Sequence, residues 1–360
     1  MQMIESSGIR KVFDLAQHLK HPIDLSIGQA SFDVPEEIKQ IAIESIRAGF
    51  NRYTVTQGIH ELRHRIHEKI KREKGFDGHV MVTSGVFGGL FLALAALVDP
   101  EDEVLIGDPY FMAYKHLTNF FGGKVVAVDT YPDFKCTAAR LESYITPKTK
   151  LIILCSPSNP TGAVLNDPEL REIADLARRH NLLVISDESY ESFTYDEPHK
   201  SICTHYENTL LLSGLSKSCG MAGWRIGYAM GPTEIVHEMI KLQQYTFVCA
   251  PSFTQKAAIR ALDLDNSWFI EDYRRKRDFV LENLRDLYEV RKPGGAFYIF
   301  PRVPWGTDEE FVAKALENNL LVIPGSVFSE KHTHFRISYS ASDETLERGV
   351  GVLRAIAVRK

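Results

Sequence analysis

With 360 residues, 44% of them apolar and 25% charged, and a formal net charge of −5, the chain has ordinary globular composition and length enough for one large and one smaller domain. No basic block marks a nucleic-acid surface, the most apolar stretch (Gly88 to Val98) is far too short to span a membrane, and the N-terminal MQMIESSGIRKVF lacks the apolar run of a signal peptide. Five widely spaced cysteines without a C-x-x-C pair read as reduced thiols of a cytoplasmic protein, not as a disulfide frame or a zinc site.

The first forty residues are expected to cross between two domains. Short β-branched or apolar runs then predict strands at His79–Thr83, Glu103–Ile106, Lys124–Val128, Lys150–Cys155, Leu182–Ser186, Thr209–Leu212 and Arg225–Met230. Several run apolar without alternation, as strands covered on both faces do. Helical patterns at Phe87–Val98, Tyr110–Phe121 and Pro168–His180 fall between them, which implies βαβ units and a mostly parallel sheet. Near residue 265 the pattern changes. A long polar helix (Asp272–Leu287) precedes a Pro293-Gly294-Gly295 turn and a strand at Phe297–Phe300. A helix (Asp308–Asn318), short strands at Leu321–Ile323 and His334–Tyr339, and a helix from Asp343 follow. The predicted class is α/β: a large domain (41–260) with a mostly parallel central sheet flanked by helices, a smaller α+β domain (261–360), and an N-terminal segment (1–40) shared with the smaller domain and the pocket between them. Parallel sheets of this kind bind ligands beyond the carboxyl ends of their strands.

The segments at those strand ends carry the chemistry. LLLSGLSKSCGMAGWRIGYAM puts Lys217 in a small-residue loop beside Ser216, with Arg225 eight residues on. Taken alone, such a lysine is usually just solvated. CSPSNPTG places Asn159 directly after a strand, and D-E-S-Y places Asp187 and Tyr190 after another. Alone, these read as a Pro/Asn turn and a helix cap. VTSGVFGGLFLAL turns at Gly85-Val86-Phe87 from strand into helix, where free backbone N–H groups can hold an anion. Phe111 follows GDPY, where an ordinary core aromatic is nearly as good a reading. On a strand, Arg336 of HFRISYS points away from Phe335 and Ile337, although an edge-strand arginine could equally face water.

The run S-G-L-S-K-S-x-x-M-x-G-W-R-x-G resembles the lysine motif of the class I/II aminotransferases, the fold-type-I pyridoxal-phosphate enzymes of the aspartate aminotransferase superfamily. CSPSNPTG is similar to the family's S-x-P-x-N-P-T-G, and the tyrosine segment NRYTVTQGIHELR to its Y-x-x-x-x-G-x-x-x-L-R; the likeness covers nearly the whole chain. It implies an enzyme that carries pyridoxal 5′-phosphate as a Schiff base on Lys217. The amino group of an L-amino acid then passes to a 2-oxo acid by a ping-pong route. Asp187 would face the pyridine nitrogen, with Asn159 and Tyr190 at the phenolic oxygen. Gly85, Val86, Phe87, Ser216 and Arg225 would surround the phosphate, and Phe111 would stack on the ring. Tyr53 would reach the phosphate of a second subunit, which makes the expected assembly a homodimer with shared active sites. Arg336 would hold the substrate α-carboxylate as a two-pronged pair, with Gly28 of IDLSIGQASF and Asn159 beside it. Three departures stand out. Gln29-Ala30-Ser31 replaces the commoner residues after Gly28, including the proline, in the loop that would border the substrate side-chain pocket; Ser189 replaces the apolar residue that usually precedes the tyrosine; and Phe87 stands where some relatives carry a lysine. Together with Phe32 and Phe111, the last leans toward neutral or aromatic substrates.

Other outcomes on the same residues are β-elimination by a C–S lyase and aminocyclopropane ring closure, so the choice of transamination rests on its being the commonest for this motif set. A ligand-sensing regulator of this fold would need an added DNA-binding domain, for which there is no room before residue 30. His60-Glu61-Leu62-Arg63-His64 is a literal H-E-x-x-H, a zinc-protease pattern. Its helix, however, has an apolar stripe of Ile59, Leu62, Ile66 and Ile70, with the histidines on the polar flank and no third ligand following. No metal is expected.

Overall fold

The computed structural model of the chain describes residues 19–265 and 267–358. The first 18 residues of the expected N-terminal segment lie outside the described residues.

In chain order, β1 (Ile23–Asp24) leads to α1 (Glu36–Arg47) and α2 (His60–Lys74). Then come β2 (His79–Thr83), α3 (Gly85–Leu97), β3 (Glu103–Asp108), α4 (Met112–Phe120) and β4 (Lys124–Asp129). They are followed by α5 (Ala138–Glu142), β5 (Thr149–Cys155), α6 (Asp167–Arg179), β6 (Leu183–Asp187), β7 (Thr209–Gly214) and β8 (Gly227–Gly231). Strands β2 to β8 form one sheet in the order β2-β8-β7-β6-β5-β3-β4. All its pairings are parallel except those of β8, which runs against both β7 and β2. The unbroken apolar runs have the expected cause. In β5, Leu151 and Ile153 join one core cluster with α3, α4 and α7 (Thr233–Tyr245), while Ile152 and Leu154 join another with α6. Helix α6 starts on a full capping box, Asn166 with Glu169.

After α8 (Ser252–Ala261) the chain builds a smaller mixed unit. Its elements are α9 (Ser267–Leu284), β9 (Tyr298–Ile299), α10 (Asp308–Glu317), β10 (Leu320–Leu321), β11 (Ile323–Pro324), β12 (Phe335–Ser338) and α11 (Asp343–Ile356). Strands β11-β12-β9 form an antiparallel sheet, and β10 pairs in parallel with β1, so the N-terminal segment joins this unit. Its core buries Ile23 and Leu25 together with Phe269, Tyr273, Phe297, Phe311 and Phe335.

Differences from the expected elements have local causes. The seventh strand begins at Gly227, not Arg225, because Arg225 takes a left-handed conformation (φ 54°) that turns the chain before pairing starts. The long helix runs Ser267–Leu284, not Asp272–Leu287. The expected strand at Leu321–Ile323 is two short strands on different sheets. Helix α2 buries Leu62, Ile66 and Ile70 as its stripe requires. Among the described residues, no helix is long and apolar enough to cross a membrane.

Candidate active site

Strands β2, β3, β5, β6 and β7 all point their carboxyl ends at one edge of the sheet, and the antiparallel β8 presents its amino end there. That edge faces β9 and β12 of the smaller unit across a cavity of about 330 Å³. The cavity is lined by Gly28, Val86, Phe87, Phe111, Asn159, Asp187, Tyr190, Ser216, Lys217, Arg225 and Arg336, residues that sequence reasoning had picked from seven separate segments.

Lys217 lies in the loop after β7. Its Nζ donates to the Gly28 carbonyl at 2.6 Å and sits 5.9 Å from the centre of the Tyr190 ring. Burial pushes its pKa down to about 8, Arg336 and Arg225 push the same way, and Asp187 only partly opposes them. The free amine is therefore far more accessible near neutral pH than on an exposed lysine.

Asp187 ends β6. Its Oδ1 accepts from the Ser189 hydroxyl (2.6 Å) and backbone N–H (3.1 Å), and its Oδ2 accepts from the Tyr114 hydroxyl (2.7 Å). Burial holds its pKa above the usual carboxylate value, against the pull of those hydrogen bonds. Tyr190 is buried and its hydroxyl meets that of Tyr298 at 2.8 Å.

Arg336, on β12, is 1% exposed. One of its terminal nitrogens donates to Asn159 Oδ1 (2.9 Å) and the other to the Ser26 carbonyl (2.7 Å), while its Nε has no partner. The guanidinium lies 4.5 Å from the centre of the Tyr298 ring. Among the described residues, no carboxylate pairs with it. A buried cation without a counter-ion is costly unless a ligand anion completes it.

The second cation, Arg225, also has no acidic partner among the described residues. Its guanidinium donates to the Ser84 carbonyl (3.3 Å) and packs on Gly85, where a Cβ would lie 2.7 Å from Nη2. Gly85 (φ 69°) opens α3, whose first N–H groups have no intrahelical acceptor and whose preceding Ser84 makes no side-chain cap. One cation and several free N–H groups thus converge as an anion site should. Of the three residues at this turn, Val86 and Phe87 line the cavity and Gly85 does not.

Tyr53 is not in this cavity. It is 84% exposed. The H-E-x-x-H segment does not converge either. His60 and His64 stack 6.1 Å apart on the exposed side of α2, and Glu61 is ion-paired to Lys256.

Tyr114, Cys155 and Tyr298 are among the lining residues that sequence reasoning gave no role. Tyr114 stands three residues after Phe111, which is the spacing of one helical face, so a signal existed. Tyr298 had none, because its neighbours Phe297 and Ile299 are as completely buried as it is.

The family described as "Aminotransferase class I and II" matches residues 20–353. Aromatic-amino-acid aminotransferase 2 of Thermococcus litoralis is 37% identical, over 100% of this chain and 98% of its own. The aspartate aminotransferase of Pyrococcus abyssi is 38% identical over the same shares. Among solved structures, the aspartate aminotransferase of Thermus thermophilus with maleate superposes with a TM-score of 0.94 at 34% identity, covering 99% of this chain and 98% of that one. The aromatic aminotransferase of Pyrococcus horikoshii superposes with a TM-score of 0.90 at 37% identity, covering 96% and 98%. The chain belongs to the class I and II aminotransferases. It is an enzyme that transfers amino groups, and the elimination and zinc-protease readings are not favoured.

Proposed function

We propose that the chain is a pyridoxal-phosphate-dependent aminotransferase acting on neutral or aromatic L-amino acids. The observation that carries this reading is the cavity that joins a lysine of lowered pKa, a buried carboxylate and a buried arginine without a counter-ion. The donor set fits the cofactor. Arg225 and the N-terminus of α3 would hold its phosphate, Asp187 its ring nitrogen, Asn159 and Tyr190 its phenolic oxygen, Phe111 its face, and Lys217 its aldehyde carbon. When bound, pyridoxal phosphate supplies a sink for the electron pair left when the Cα–H bond breaks. The protein's residues do the rest. Arg336 binds the substrate α-carboxylate and so fixes which Cα bond faces Lys217. The Lys217 amine would take the Cα proton and return it to the cofactor carbon on the other side of the transferring nitrogen. Asp187 keeps the ring nitrogen protonated. A 2-oxo acid then reverses the sequence.

Substrate class follows from the walls. Phe87, Leu90, Phe111 and Tyr298 line the cavity, and among the described residues its only cations are Lys217, Arg225 and Arg336. Each has a task already, which leaves none for a second carboxylate. A homodimer is part of the reading. Tyr53, Val55, Tyr245, Phe247 and Val248 are exposed apolar side chains, and the Thr56 carbonyl accepts from Gln243 of α7, next to the Phe247 that packs toward Phe91 of α3. A second copy seated there would cover them and bring its own Tyr53 to this cavity.

The test is a reconstitution with pyridoxal phosphate. The wild-type protein is expected to gain the cofactor's visible absorption band and to lose it on adding phenylalanine or tyrosine without an oxo acid. Lys217→Ala is expected to do neither. A band retained in Lys217→Ala, or pyruvate and ammonia released from cysteine in place of transfer, refutes the reading. A preference for aspartate refutes its substrate class alone.

A further inference from the structure

The clamp on Asp187 is unusual for a buried carboxylate, because both of the side chains that hold it are neutral. Ser189 donates twice to Oδ1, through its hydroxyl at 2.6 Å and its N–H at 3.1 Å, and Tyr114 donates to Oδ2 at 2.7 Å. A carboxylate offers about four acceptor positions. Three are filled, and the one left lies on the oxygen that Tyr114 touches. Tyr114 is 2% exposed, and burial raises its pKa well above the ordinary phenol value, so it stays a donor. The neighbouring Glu188 turns the other way, to Lys74, His199, Ser186 and Ser201. Among the described residues, no cation therefore pairs with Asp187 from behind.

We infer that Ser189 and Tyr114 are positioning residues that set where the proton rests between Asp187 and the ring nitrogen of the cofactor. This rests on the function proposed above. Hydrogen bonds donated to a carboxylate favour its ionised form and lower its proton affinity. With both donors in place, the shared proton stays on the ring nitrogen and the negative charge on Asp187. With either gone, burial favours the neutral acid, and the proton moves from nitrogen to the remaining acceptor on Oδ2. Charge and atoms balance, since one proton crosses one hydrogen bond. A ring without that proton is a weaker electron sink, so Cα–H cleavage slows while carboxylate binding at Arg336 is untouched. Ser189, which looks in sequence like a loosened wall, becomes a donor aimed at the catalytic carboxylate.

The experiment uses the holoenzyme carrying pyridoxal phosphate isotopically labelled at its ring nitrogen, read by nitrogen NMR. Wild type is expected at the protonated position. Ser189→Ala and Tyr114→Phe are each expected to move the signal toward the unprotonated position, and the double variant farthest. Each lost hydrogen bond to the carboxylate is expected to lower kcat on the order of tenfold with little change in KM. If Tyr114→Phe does not fold, Ser189→Ala alone carries the test. A double-variant signal that coincides with wild type, or a wild-type signal already at the unprotonated position, overturns the inference and leaves the functional reading standing. A wild-type protein that captures no cofactor overturns that reading itself.

Discussion

Arg277 and Arg336 are each 1% exposed and each lies over a tyrosine ring, but they differ in what pairs their charge. Arg277, on α9, donates to Asp278 at 2.8 Å, to Asp196 at 3.1 Å and to the Pro293 carbonyl at 3.1 Å. Burial pulls its pKa down, but the two carboxylates more than offset it and hold the guanidinium above its ordinary value. Arg336 has two neutral oxygen acceptors and aromatic faces, and burial holds its pKa below the ordinary value. Asp187 and Glu188 repeat the contrast one peptide bond apart. Burial works to raise Glu188, yet Lys74 and His199 outweigh it and hold that carboxyl well below the usual range. Burial holds Asp187 above that range. Charges paired within the chain hold the fold together, and charges buried without a counter-ion are kept for a ligand.

Variants can break this comparison, and the largest effect is expected behind the site. Lys74→Met strands Glu188 and Glu191, both of which contact the Lys74 ammonium, and is expected to destabilise by about 3–5 kcal/mol in denaturant melts. Arg336→Met is expected to lower kcat/KM for the amino acid by about 3 kcal/mol, roughly a hundredfold, while Tm holds or rises. Arg277→Met is expected to do the reverse. It should lose about 1–2 kcal/mol of stability, moderated because Asp196 and Asp278 are half exposed, and leave kcat/KM alone. The pH dependence of cofactor capture sharpens the point. Only the free Lys217 amine attacks the aldehyde, so the capture rate is expected to rise with pH through about 8 and level off above. Removing the Arg336 charge favours the ammonium, so in Arg336→Met the inflexion is expected to move to higher pH. The smallest change is in selectivity. Phe87→Lys is expected to shift kcat/KM toward aspartate over phenylalanine by about tenfold, a partly exposed charge gaining a partner.

Much of this was legible in the sequence, for physical reasons. The seven strands declared themselves because a sheet covered on both faces needs unbroken apolar runs, and the site residues followed because parallel strands deliver their carboxyl ends to one edge. Two-residue strands such as β1 and β10 leave no periodic trace. Arg225 looked like the start of a strand because composition does not reveal a left-handed turn. Tyr298 was hidden by burial on all sides, and the hydroxyl clamp on Asp187 by the distance in sequence, since Tyr114 and Asp187 are 73 residues apart. Ser189 was visible as a departure, but only geometry turned it from a gap into a donor.

The most direct test of the account is to reduce the reconstituted protein with borohydride and map the cofactor by peptide mass spectrometry. The expected result is one adduct, on the peptide containing Lys217, that disappears in Lys217→Ala. An adduct on another lysine, such as the solvent-exposed Lys200, or no adduct at all, would contradict it.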